Sequence, residues 1–391
     1  MAKVAVLLNG SISHDSRVIK SIKTMAKMHQ VDLFYINGEK NDSLIFKNLP
    51  VGLHSTPHLD PFFSRILRHT FFYNEFLFLE KTVLKNNVIY DFIVANDLPC
   101  LKPAVALKKR MKAKLIYDSH EIYTETLNQF FPKNPPFFKK PIFDFSLSAM
   151  RFLGEREEKK LLYSVDHFIT VGEGLKIYFT KKYGFADIKV VMNCPSLDTI
   201  TTKAVDLHSL LKIAPGQFIV IYQGTLNQGR GLDTLIKAFS EVDKHISLVI
   251  LGDGPFLDYL VQLTTQLGLE DRVYFHKSVP LEELAGYTKG ADIGISLLED
   301  FNLSKKYAAP NKLFEYLHAG LPVIINDTFE SEIVFNKYKI GKLTKMDSNV
   351  LAASINTVSK ENLEQYREEC KKAAQEYCWE KQEKVLLALL K

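Results

Sequence analysis

The sequence predicts an α/β protein of two doubly wound domains facing across a cleft. Three observations carry that expectation. Short apolar runs rich in β-branched residues alternate with amphipathic stretches, the alternation breaks once at 193–217, and it then resumes. With 391 residues, 46% of them apolar, the chain is long enough for two buried cores. Apolar runs joined by helices imply parallel strands covered on both faces.

In order, the N-terminal strands are VAVLLNG (4–10), VDLFYING (31–38), DFIVAND (91–97), AKLIYDS (113–119), HFITVG (167–172) and IKVVMN (188–193), with helical patterns such as 16–29 and 98–110 between them. The stretch 193–217 reads as an inter-domain connection. The second series is FIVIYQG (218–224), ISLVILGDG (246–254), RVYFHKS (272–278), ADIGISLL (291–298) and LPVIIND (321–327). Ligands of such sheets sit beyond the carboxyl ends of the strands, so the residues that follow each strand are the ones to read for function.

Composition narrows the class. The net charge of +5 is mild and is no nucleic-acid signature. The four cysteines form no Cys-x-x-Cys pair and no metal-ligand grouping, and the apolar run in MAKVAVLLNG is too short for a signal peptide. A reducing, cytoplasmic setting is expected. No stretch approaches the ~18 apolar residues of a membrane span, so any membrane contact is expected to be peripheral.

YQGTLNQGRGLDTLIKAF (222–239) sets a strand, a glycine-rich turn and a helix in order, with Arg230 at the turn. Backbone N–H groups, a helix start and a guanidinium together suit a diphosphate. A nucleotide-hydrolase phosphate loop is excluded, because Arg230-Gly231 stands where Lys-Ser/Thr is needed. A βα turn with an exposed arginine is the plainer alternative. LGDGPFLDYL (251–260) repeats glycines at a strand end but lacks the third glycine of a dinucleotide fingerprint. In APNKLFEYLHAGLPVI (309–324), Pro310 starts a helix and Gly320 stops it, and Lys312 and Glu315 share a face. A cation at a helix end whose dipole favours anions is mismatched unless an anion arrives there. The plain alternative is a surface ion pair between Lys312 and Glu315, worth ~0.2–0.5 kcal/mol.

Taken together, these motifs resemble the retaining nucleotide-sugar glycosyltransferases of family 4, whose two Rossmann-like domains form the GT-B architecture. The N-terminal half adds HDSRVIKSIKTMAK (14–27), NDLP (96–99), YDSHE (117–121), FITVGEGLKIYF (168–179) and VVMNCP (190–195) in the family's order. The resemblance implies an acceptor-side domain over 1–195, a donor domain over 196–376, and a helix at 377–391 that crosses back to the first domain. It implies that Glu315 accepts hydrogen bonds from the nucleotide's ribose hydroxyls and that Arg230 binds the donor diphosphate, with Lys312 as a second cation and Asn311 beside it. Gly224, Thr225, Gly252, Asp253 and Val279 complete the donor side. His120 matches the histidine that faces the donor sugar, and Asp15, Arg17 and Asp97 lie on the acceptor side. A satisfied strand-end histidine is the plain alternative for His120.

This sequence departs from the family at Thr225, where many members carry arginine, at Tyr307, where many carry a second glutamate, and at Lys277, which replaces a glycine near the base pocket. The donor is expected to be a UDP- or GDP-linked sugar, and the acceptor a glycan or lipid-linked molecule of cell-surface biosynthesis. No Asp-x-Asp occurs, so no metal and no other cofactor is expected. The Phe-rich, basic segments 61–79 and 130–152 suit an anionic membrane surface as well as they suit helices packed on the sheet. A non-catalytic nucleotide-binding partner subunit is the alternative from another class, and a sugar phosphorylase of the same architecture is a third.

Overall fold

The computed structural model describes residues 1–57, 77–130, 136–299 and 302–391, with the side chains of His14, Leu77 and 128–130 left aside. The chain divides into two compact units, Met1–Asn193 with Gln382–Lys391, and Cys194–Lys381.

The N-terminal unit holds seven parallel strands: β1 (Lys3–Leu8), β2 (Gln30–Ile36), β3 (Val51–Thr56), β4 (Phe92–Asn96), β5 (Lys114–Ser119), β6 (His167–Thr170) and β7 (Ile188–Val190). Their spatial order is β3-β2-β1-β4-β5-β6-β7. The order reverses between β1 and β4, which leaves a crevice beyond their carboxyl ends. Every residue of β1 after Lys3 is buried, as continuous apolar runs require when helices cover both faces.

The C-terminal unit repeats the plan with β8 (Phe218–Gln223), β9 (Ile246–Leu251), β10 (Val273–His276), β11 (Ile293–Ser296), β12 (Val323–Asn326) and β13 (Gly341–Thr344). Its order is β10-β9-β8-β11-β12-β13, with the reversal between β8 and β11. Val220, Tyr222, Ile250, Ile293 and Ile295 form its core with Leu235 and Ile236 of the helix Leu232–Ala238. The glycine in ADIGISLL has a packing cause. A Cβ at Gly294 would lie 2.3 Å from the ring of Tyr316, so the bare backbone lets that ring lie against β11. The Tyr316 hydroxyl then donates to the Ile295 carbonyl at 2.9 Å and fixes the helix Asn311–Ala319 on the sheet.

Two strands, β3 and β13, are absent from the sequence expectation, and both are edges. An edge strand faces solvent on one side, so VGLHST and GKLT lack the unbroken apolar run that marks a central strand. The stretch 193–217 is also more than a connection. Val205 N–H donates to the Gly286 carbonyl at 2.9 Å, Thr199 Oγ1 and His318 Nδ1 lie 3.1 Å apart, and Leu207 is buried, so the stretch packs on the C-terminal unit.

Among the described residues no helix is long and apolar enough to cross a membrane. Cys100, Cys194, Cys370 and Cys378 are free thiols, all buried.

Candidate functional site

In the C-terminal unit the loops after β8 and β9 interlock. Gly252 has φ +153°, and a Cβ there would lie 2.0 Å from the Gly224 carbonyl oxygen. Only glycine allows this approach, which packs the two strand ends together. Gly224 and Thr225 are exposed at the lip, and the chain continues through Gly229 to Arg230, which is half-buried. The Glu299 N–H donates to the Gly229 carbonyl at 3.2 Å and ties this turn to the loop after β11. Asp253 faces β10 instead of the open loop: its carboxylate accepts from Ser278 N at 2.8 Å and Ser278 Oγ at 2.5 Å, which pins the segment carrying the half-buried Val279.

The helix Asn311–Ala319 opens beside Gly224. Pro310 is its N-cap and supplies no capping side chain, and Asn311 is exposed at the first turn. Lys312 lies over the lip, because a Cβ at Gly224 would be 3.1 Å from both its Cε and its Nζ. Its ammonium sits 5.1 Å from the centre of the Tyr222 ring. Burial, and then the nearby charge of Arg230, lower its pKa to about 8. Among the described residues neither Arg230 nor Lys312 has a carboxylate at ion-pair distance. The like charges of Arg230 and Lys312 oppose each other and Glu315 offsets them only in part, so an anion bound between them is favoured.

Glu315 acts on Lys312 through space and not by a contact ion pair. Its carboxylate accepts a hydrogen bond from Gln223 Nε2 at 2.6 Å, and Gln223 Oε1 accepts from Thr288 Oγ1 at 2.7 Å. The surface ion pair between Lys312 and Glu315 is thus absent among the described residues, because Gln223, the last residue of β8, reaches Glu315 instead. Thr288 and Gln223 are buried, so the chain Thr288–Gln223–Glu315 is a fixed support for one acidic group at the strand ends.

The N-terminal unit carries a second cluster, at the carboxyl ends of β1, β4 and β5. Asp97 opens the helix Asp97–Met111 at φ +60°, a conformation that is costly for a residue with a Cβ. Its carboxylate accepts the His120 backbone N–H at 2.8 Å and lies 3.4 Å from His120 Nδ1. On the other side of the ring, Nε2 is 3.5 Å from Asp118 Oδ2, is buried, and makes no hydrogen bond among the described residues. Asp118 is gripped by Arg17 through Nε at 3.2 Å and an end nitrogen at 2.6 Å, and the other end nitrogen donates to the Val191 carbonyl. Arg17 is therefore buried inside this network and not displayed at the surface. Asp15 caps the helix Ser16–Ala26 by accepting from Val18 N at 3.0 Å.

Burial alone would push the His120 pKa down, but the charges of Asp97 and Asp118 outweigh it and raise it to about 9. Burial likewise pushes Asp118 up, and Arg17 and His120 overcome it and hold Asp118 at about 2. Asp97 is raised by burial against the opposing charge of His120. His120 is thus an imidazolium at neutral pH. Because its folded pKa lies above the unfolded value, its stabilising charge is fully present below pH ~6.5 and is lost as pH rises through about 9. Proton NMR of the His120 ring, assigned by comparison with His120→Gln, is expected to give a midpoint above 8; a midpoint at or below the ordinary ~6.5 overturns this charge arrangement.

Residues 207–377 match the family described as glycosyl transferases group 1. In the solved structure of Anabaena HepE in complex with UDP and glucose, the match covers 100% of this chain and 99% of that one, with a TM-score of 0.77 at 18% identity. The fold is that of a GT-B glycosyltransferase. Two curated relatives align over shorter stretches. The α-monoglucosyldiacylglycerol synthase of Streptococcus pneumoniae is 30% identical over 122 residues, 30% of this chain and 26% of that protein. The GDP-mannose-dependent α-(1-6)-phosphatidylinositol monomannoside mannosyltransferase of Mycolicibacterium smegmatis is 32% identical over 78 residues, 19% and 20% of the two chains. The alignments thus span 26% and 20% of these relatives.

Within the GT-B chain, Arg230, Lys312, Glu315, Gly224 and Thr225 gather at one sheet end, and His120 and Asp97 at the other sheet's end. Sequence reading missed Asp118, Gln223, Thr288 and Ser278, which hold these groups in place. Gln223 carries a signal, since a polar residue that is 1% exposed closes the otherwise apolar FIVIY run. Asp118 carries one too, standing two residues before His120 at the end of β5. Thr288 and Ser278 leave no such mark. Among the described residues no group of three or more His, Cys, Asp or Glu is placed to hold a metal. Asp300 lies outside the described residues.

Proposed function

We propose that the chain is a retaining glycosyltransferase that moves a sugar from a UDP- or GDP-linked donor to a hydroxyl of a glycan or lipid-linked acceptor, without a divalent metal. The observation that carries this reading is the couple of Arg230 and Lys312, neither with a carboxylate at ion-pair distance among the described residues, beside a carboxylate, Glu315, that Gln223 keeps fixed. The two cations suit the diphosphate, and Glu315 suits ribose hydroxyls as an acceptor. As the bond from the anomeric carbon to the diphosphate oxygen breaks, the cations stabilise the negative charge that develops on the leaving group. The acceptor oxygen bonds to the same face of the anomeric carbon, and its proton passes to the leaving diphosphate. His120, as an imidazolium, serves as a hydrogen-bond donor to the donor sugar and not as a base. The relatives' names support the acceptor class, since one makes a glucosyldiacylglycerol and the other acts on a phosphatidylinositol mannoside.

Thermal-shift titration of the full chain with UDP, GDP and their sugars tests the donor site. One nucleoside diphosphate is expected to stabilise the chain, and Glu315→Ala to weaken its binding by about 10–100-fold, the worth of hydrogen bonds to a charged group. Transfer by the purified chain is expected to persist in excess EDTA. No stabilisation by any nucleoside diphosphate sinks the donor site; a loss in EDTA that magnesium restores sinks the metal-free mechanism.

A further inference from the structure

The helix Lys140–Leu162 of the N-terminal unit is packed along one side only. Met150, Gly154, Glu158 and Leu162 recur every four residues and are buried. The opposite side is open. Phe138, Ile142, Phe145 and Phe152 follow one another at steps of four, three and seven, which places them on one stripe, and they are 74%, 65%, 76% and 65% exposed. Phe137 beside them is 92% exposed. Single exposed apolar residues are ordinary, but a contiguous aromatic stripe is not.

The charges on this helix are sorted in the same sense. Its glutamates turn inward: Glu155 pairs with Lys182, Glu157 pairs with Lys102 at 3.0 Å, and Glu158 accepts from Tyr117 at 2.9 Å and Tyr183 at 2.6 Å. Lys139, Lys140, Arg156, Lys159 and Lys160 stay exposed, and among the described residues none of them has a carboxylate partner. Arg156, Lys159 and Lys160 continue the stripe beyond Phe152. Asp144 is the exposed acid among residues 136–162. The expectation of a membrane-facing segment at 61–79 falls largely outside the described residues, as do 131–135.

We propose that this face docks on an anionic lipid bilayer, with Phe137, Phe138, Ile142, Phe145 and Phe152 sunk at the interface and the five cations on the lipid phosphates. An aromatic stripe flanked by unpaired lysine and arginine is the chemistry that such a surface recognises. A second copy of the chain suits it less, because a two-fold contact through this stripe would set the cations against themselves. Docking adds a place to the transfer reading, and it rests on that reading only for the consequence that the acceptor is lipid-linked.

Vesicle flotation of the full chain, without donor or acceptor, tests it. The wild type is expected to bind phosphatidylglycerol-containing vesicles, to lose binding as salt rises, and to bind pure phosphatidylcholine at least tenfold more weakly. Phe145→Asp with Phe152→Asp is expected to cut anionic-vesicle binding at least tenfold with an unchanged unfolding temperature, since both side chains are already exposed. Equal binding to the two vesicle types, or undiminished binding by the double variant, overturns the proposal. A wild-type dimer in sedimentation that the double variant dissolves also overturns it and gives the face to a second copy. Because no nucleotide takes part, failure here is distinguishable from failure of the transfer reading.

Discussion

Arg230→Ala is expected to lower the rate of sugar transfer by about 10²–10³-fold, the loss typical of removing one preorganised donor from developing charge. Arg230 and Lys312 act on each other at the strand ends, neither with a carboxylate at ion-pair distance among the described residues, and they share one task. Their losses should therefore not add: Lys312→Ala placed on Arg230→Ala should cost less than it does alone. Most of the effect is expected in kcat, since the charge on the diphosphate grows as its bond to the sugar breaks. Single-turnover rates of the two variants and the double variant, with a donor found by thermal shift, check this. Rates within threefold of wild type in both single variants would remove these residues from the chemistry.

Arg17→Ala is expected to destabilise the N-terminal unit by about 3–5 kcal/mol, the usual cost of leaving one member of a buried ion pair alone. Arg17 and Asp118 have side chains only 4% and 3% exposed and hold each other at 2.6 Å. Without the guanidinium, Asp118 keeps His120 as its charged neighbour among the described residues, and the Val191 carbonyl loses the Arg17 donor. Asp118 owes its low pKa of about 2 chiefly to Arg17 once burial is overcome, so the stability it contributes is present above pH ~3.9 and is lost as pH falls toward 2. In Arg17→Ala this acid-side loss should begin at higher pH. Arg17→Met combined with Asp118→Asn should recover much of the stability, because the double change leaves no charge stranded. Urea unfolding at pH 7 and pH 4 measures both effects; a midpoint unmoved by Arg17→Ala would contradict the pair's structural role.

The central strands were legible because burial on both faces leaves a plain apolar run, as in KVAVLL and ISLVIL. The edge strands β3 and β13 were not, since most of their residues are only partly buried. The cluster at the end of the second sheet was legible because its members sit in local motifs: Arg230 in the turn after β8, and Lys312 and Glu315 in the first turns of the helix before β12. The N-terminal cluster was only half legible. His120 and Asp97 follow strands and were named, but the pairing of Arg17 with Asp118 joins residues 101 apart, and no local pattern encodes it. The same holds for Gln223 and Glu315, 92 apart. The family resemblance had placed Arg17 on the acceptor side. The fold turns it inward, since β5 brings a carboxylate within its reach.

The N-terminal unit takes its last segment, Gln382–Lys391, from beyond the whole C-terminal unit. In that segment Gln382 accepts the Met192 N–H at 2.9 Å, Glu383 pairs with Lys27 at 2.7 Å, and Leu386, Leu389 and Leu390 are buried. On the ribosome, the first seven strands emerge long before these residues do. The unit that is begun first must wait, without its last helical segment, while the second is synthesised, so the order of translation and the order of completion are reversed for this half of the protein.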